Sequence, residues 1–117
     1  MFITISNSRE LLRFESQSVV YISGEGNYST INLTGGVKEV VCMQLGQLEQ
    51  LFSSQLGEEG RCFVRIGKSM IVNREKVYKI VPSEGLLMVR DGNMDPEQTS
   101  HVSPEALRKF KAIIEKQ

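Results

Sequence analysis

Residues 63–73, FVRIGKSMIVN, make a β-branched apolar run that is cut in its middle by Gly67, Lys68 and Ser69. The two halves are short, and Ile71 and Val72 favour extended backbone. Glycine accepts the backbone angles of a sharp reversal that other residues resist. The segment therefore predicts two strands with Lys68 leaving the sheet at their junction.

The rest of the chain follows the same rule. Phe2–Ile5, Leu11–Phe14 and residues 19–22 each read as strands, separated by turn-prone serine, asparagine and glycine. Gly24-Glu25-Gly26-Asn27 is a loop. Beyond it Tyr28, Thr30, Asn32 and Thr34 alternate with Ile31 and Leu33, the period of a half-buried strand. Gly35-Gly36 predicts a two-residue hairpin turn into residues 37–43. The period then changes: Leu45, Leu48, Leu51 and Phe52 form the stripe of a short amphipathic helix. Further strands are expected over 76–81 and 86–90, around the turn Pro82-Ser83-Glu84-Gly85. Ser103-Pro104 opens a terminal helix, with serine as N-cap and proline in its first turn. Its expected packing face is Ala106, Leu107, Phe110, Ile113 and Ile114. With 117 residues and no linker or repeat, the expectation is one domain, 1–117.

Several chemistries are excluded by spacing. Gly67-Lys68-Ser69 resembles the end of a nucleotide-binding loop, but the first glycine of that motif would fall on Cys62, and no helix pattern follows. The acids of residues 91–97 lack the glycine and glutamate of a calcium loop: Pro96 and Val102 stand at those places. One histidine and no nucleophile–base pair leave nothing for an enzyme, and no cofactor or metal is expected. No apolar run is long enough for a membrane span or a secretory signal, so the expected location is the cytoplasm. Cys42 and Cys62, in apolar surroundings, are expected to be buried and reduced.

Net charge is zero, but its distribution is uneven. Residues 1–60 carry three basic and seven acidic side chains, net −4. Residues 61–90 carry seven basic and two acidic, net +5. A basic face on a neutral protein suits a phosphate-bearing partner, and it equally suits strands kept soluble by lysine.

The ordered strings VVYISGEGNYSTI, the leucine-striped helix, FVRIGKSMIVNREKVYKI and a closing HVS resemble the LytTR DNA-binding family. Phe63, Arg65, Lys68, Ser69, Val72 and Asn73 fall on that family's central pattern, and Gly26, Asn27 and Tyr28 on its first block. The likeness spans roughly residues 2 to 114. It implies a mainly β (α+β) fold, elongated, of stacked antiparallel sheets with one short internal helix and a C-terminal helix. It also implies binding to double-stranded DNA, with loops rather than a recognition helix entering successive major grooves.

The resemblance implies the contacts residue by residue. Lys68 is placed to donate to guanine O6/N7, a contact worth ~1–3 kcal/mol of discrimination. Ser69 adds a phosphate hydrogen bond. Asn27 and Tyr28 form a second groove-entering loop. Arg65, Arg74 and Arg90 are candidates for phosphate neutralisation. Where members often carry Ser-Arg, this chain has Ser103-Pro104, with His101 or Arg108 as substitutes; where many carry histidine, it has Gly67.

The function implied is that of a bacterial, cytoplasmic, two-component-related transcription regulator. It would act as a stand-alone domain without a receiver, binding promoter direct repeats as paired copies, a homodimer on DNA. A signalling protein would be a further partner, and no membrane is involved. The alternative is a protein-interaction module of the same fold that has lost specific DNA binding.

Overall fold

The computed structural model describes residues 1–116. Among these residues, ten short strands, two α-helices and several short 3-10 turns fill an elongated volume of 44 × 30 × 26 Å. Strands β1 (Phe2–Ser6) and β2 (Leu11–Glu15) form a two-stranded antiparallel hairpin. Strands β3 (Val19–Glu25), β4 (Tyr28–Leu33) and β5 (Lys38–Val41) follow, then helix α1 (Leu45–Leu56). Strands β6 (Phe63–Ile66) and β7 (Met70–Asn73) complete a five-stranded antiparallel sheet in the order β5-β4-β3-β7-β6. Strands β8 (Val77–Val81), β9 (Leu86–Val89) and β10 (Glu97–Gln98) make a third sheet, and helix α2 (Pro104–Glu115) closes the fold.

The five-stranded sheet lies between two cores. Ile22, Ile31 and Ile71 point to one side, where they meet Ile3, Phe14 and the α1 stripe Leu45, Leu48, Phe52 and Leu56. Val20, Ile66, Met70 and Val72 point to the other, against Leu87 and Val89 of β9 and Leu107 and Phe110 of α2. Strict alternation would put Val20 and Ile22 on one face. A β-bulge in β3 prevents this: Val19 pairs with Leu33 and Tyr21 with Asn32, leaving Val20 as the extra residue. Val20 and Tyr21 thus both face α2 and β9, while Val19 and Ile22 face α1.

Local signals account for the element ends. The Gln44 N–H donates to Gln47 Oε1 at 2.8 Å at the start of α1, and Ser103 Oγ accepts the Ala106 N–H at 3.2 Å to cap α2. Asn73, fully buried, donates to the Val19 carbonyl at 3.0 Å and accepts the Glu75 N–H at 3.1 Å. It ties β7 to β3 and caps the turn that follows.

Some expectations need correction. Cys42 is exposed and Cys62 only partly buried. Val41 points into the α1 core, so Val40, on the opposite face of edge strand β5, is 63% exposed, and Cys42 just beyond the strand is exposed with it. Ile113 is 41% exposed, because α2 packs through Leu107, Phe110 and Ile114 and turns Ile113 toward a groove. The Gly35-Gly36 turn is longer than two residues, running from the end of β4 at Leu33 to the start of β5 at Lys38. No helix among the described residues is long and apolar enough to cross a membrane.

Candidate nucleic-acid interface

Antiparallel pairing places two hairpin tips at the same end of the central sheet. The β3–β4 tip carries Glu25, Gly26, Asn27 and Tyr28; the β6–β7 tip carries Gly67, Lys68 and Ser69. Because β3 and β7 are neighbours, the tips touch: the Gly24 N–H donates to the Ser69 carbonyl at 2.8 Å. The hairpin centres lie two strand spacings apart, roughly 10 Å. Gly67 holds φ at +59°, the left-handed angle that lets β6 reverse into β7 within three residues.

Lys68 is exposed at this tip, and its ammonium forms no ion pair among the described residues. Tyr28 is 55% exposed, an aromatic ring left in solvent on the neighbouring tip. Asn27 is exposed too, but its Oδ1 accepts the Gln44 Nε2–H at 3.0 Å, so the N-cap residue of α1 fixes its amide. An open groove of about 580 Å³ runs between the β6–β7 tip and the start of α2. His101 and Ser103 line it with Lys68 and Ser69, over a floor that includes Ile66, Val102 and Phe110. The structure therefore brings Asn27, Tyr28, Lys68, Ser69, His101 and Ser103 to one end of the molecule.

His101 owes its place to Gly85. That glycine sits at φ +63°, its carbonyl accepts the Val102 N–H at 3.3 Å, and a Cβ there would collide with the imidazole ring. The histidine ring thus stacks on bare backbone at the β8–β9 turn. Ser103 Oγ accepts from the α2 backbone, which leaves its hydroxyl proton as the group free to donate.

Of the three candidate arginines, Arg65 lies beside the Lys68 tip and lines the groove, while Arg74 and Arg90 sit elsewhere. Arg65 reaches across β6 to α1: NH1 pairs with Glu49 Oε1 at 3.1 Å, and NH2 donates to the Lys68 carbonyl at 3.3 Å. Its Nε is buried and meets no acceptor among the described residues. Arg74 follows the far end of β7, close to Glu75 and Cys62. Burial, followed by the Glu75 carboxylate, pushes the Cys62 thiol above its ordinary range. Arg90 follows the far end of β9; its Nε donates to the Met94 carbonyl at 3.0 Å and its guanidinium lies 5.7 Å from the Tyr78 ring centre. The Arg90 N–H donates to the Lys76 carbonyl, so Arg74 and Arg90 share the end opposite Lys68.

The model of the LytTr DNA-binding domain matches residues 9–115. The chain belongs to the LytTr DNA-binding domain family. Among solved structures, the LytTr domain of a Bacillus cereus protein described as a methyl-accepting/DNA response regulator superposes with a TM-score of 0.63 at 18% identity. The match covers 97% of this chain and 95% of that one, and it shows the shared fold. No curated protein matches. The family is one of DNA-binding domains, and the mainly β architecture that the resemblance implied is the LytTr architecture.

Sequence reasoning did not find Gln44 and Glu49, the α1 side chains that hold the two tips. A signal existed for both: Gln44 directly precedes the leucine stripe, and Glu49 directly follows Leu48 in it. Lys109 and Ile113 of α2 also line the groove and were not singled out as binding residues. Lys109 is loosely paired with Glu105 at 3.8 Å, both largely in solvent, an arrangement worth little to stability.

Proposed function

We propose that this LytTr domain is a sequence-specific transcription regulator that presents the joined hairpin tips to the major groove of promoter DNA. The observation that carries the reading is the adjacency of the tips, linked by the Gly24–Ser69 hydrogen bond. A ridge roughly 10 Å between hairpin centres is commensurate with a major groove ~12 Å wide. Lys68, in no ion pair among the described residues, is the base reader; Ser69 and the Ser103 hydroxyl are phosphate donors. Asn27, Tyr28 and His101 flank them. Arg74 and Arg90, at the opposite end, lie outside this interface.

A bacterial cytoplasm, a two-component relation, paired copies on direct repeats and a signalling partner complete the reading. The bacterial cytoplasm and two-component relation are suggested by the response-regulator description of the B. cereus protein; the paired copies, direct repeats and signalling partner are what the LytTR resemblance implies. Selection of bound fragments from genomic DNA, followed by titration with salt, is the test. An enriched motif is expected, with log affinity falling linearly in log salt by ~0.9 per phosphate neutralised. The rival reading, an interaction module without specific DNA binding, is favoured by Pro104 standing where an arginine is expected after Ser103. Equal affinity for all fragments, with a protein recovered in pull-down, would establish that rival instead.

A further inference from the structure

Both tips of the interface are tied to the first half of α1. Gln44 holds Asn27 at 3.0 Å. Glu49 holds the Arg65 guanidinium at 3.1 Å, and the same guanidinium donates at 3.3 Å to the carbonyl of Lys68 itself. Arg65 therefore spends two of its nitrogens inside the protein. Its third, Nε, is buried. A phosphate reaching this guanidinium would have to compete with Glu49 and the Lys68 carbonyl for its two terminal nitrogens.

We infer that Arg65 is a positioning residue, clamped by Glu49, that fixes the Lys68 tip in its DNA-reading geometry and does not itself neutralise a phosphate. The inference rests on the proposed DNA-binding function. Two physical consequences separate it from direct contact. A phosphate-binding Arg65 would be released by loss of Glu49, and the local negative charge would fall, so DNA affinity would rise. A positioning Arg65 needs Glu49, so the same loss loosens the tip and affinity falls. The two readings predict opposite signs.

The tip also carries its own reporter. The Gly24 N–H is held by the Ser69 carbonyl at 2.8 Å, so its exchange with solvent follows the rigidity of residues 67–69 whether or not DNA is present.

The experiment compares the full chain with its Glu49→Gln and Arg65→Gln variants. Glu58→Gln, which removes the Glu58–Arg61 pair away from the tips, serves as the control. Fragments enriched from genomic DNA are the probe. With Arg65 at 31% and Glu49 at 51% side-chain exposure, the pair is solvent-screened. Each tip variant should then weaken binding only modestly, by ~2- to 5-fold. The salt slope should stay unchanged, and Gly24 exchange should be faster in both variants than in the control. Unchanged or tighter DNA binding by Glu49→Gln, Gly24 exchange equal to the control, or a slope shallower by ~0.9 in Arg65→Gln, would each overturn the inference. If the unaltered chain selects no fragment, the proposed function fails by itself, while the exchange rates still decide whether the clamp holds the tip.

Discussion

The amide of Gly24 and the carbonyl of Ser69, 2.8 Å apart, join the two loops of the candidate interface into one ridge. Backbone atoms make this link, so it survives changes in the side chains that would read DNA. Those side chains can therefore be removed one at a time with the scaffold left standing.

Lys68→Ala is the most direct case. The side chain is exposed and makes no ion pair among the described residues, so folding stability should move by no more than ~0.5 kcal/mol. Affinity for the selected sequence should fall by ~1–3 kcal/mol if the ammonium meets a base edge. Gel shifts with matched and scrambled fragments measure it. Equal affinity before and after the change would assign base reading to another residue.

Gly85→Ala should damage the fold and the interface together. The position holds φ at +63°, and the His101 ring occupies the space a methyl group needs. The backbone alone should cost ~1–2 kcal/mol. A lower urea midpoint and a shifted His101 imidazole resonance in NMR are the expected readouts. An unmoved imidazole signal would mean that the ring does not rest on Gly85 in solution.

Asn73→Ala tests the buried amide that links β7 to β3. Its removal leaves the Val19 carbonyl and the Glu75 N–H without their partners. A loss of ~1–3 kcal/mol is expected from urea unfolding. The side chain is fully buried and away from the tips, so the DNA salt slope of the folded protein should be unaltered.

Alkaline pH should weaken the fold through Tyr21. Burial first, and the Glu97 carboxylate second, raise its hydroxyl above the ordinary 10.0. Cys62 is raised above 9.0 in the same sense. The unfolded chain then releases these protons at lower pH than the folded one. Their contribution is intact below the unfolded values and is lost as pH rises through the folded ones. Tyr21→Phe should flatten the part of the decline that begins near pH 10.0. Unfolding midpoints measured across alkaline pH, with and without the change, give the answer.

Most of the fold was legible because its signals are local. The alternation from Tyr28 to Leu33, the leucine stripe before Phe52 and the Ser103-Pro104 start each act within a few residues, and each element forms where its signal lies. The Lys68 tip was legible for the same reason, since Gly67 sets it by backbone angle alone. What escaped depends on distant partners. Nothing near Cys42 reveals that it is left exposed, because that follows from the position of β5 at the edge of the sheet. The Glu49–Arg65 pair spans sixteen positions and two elements: the leucine stripe places Glu49 on α1, but nothing in it names Arg65 as the partner. Arg74 and Arg90 carry the right charge in the sequence, but strand direction sends them to the opposite end.

The bulge at Val20 makes β3 sensitive to which residue it loses. Deleting Val20 itself would leave every pairing of β3 in place and remove one apolar group from the core under α2. Deleting a position just after Ile22 would instead absorb the bulge and swap the sides on which Tyr21 and Ile22 emerge, turning Ile22 away from the α1 core. Length variation in this lineage should accordingly gather in connections such as residues 91–96 and be absent from β3.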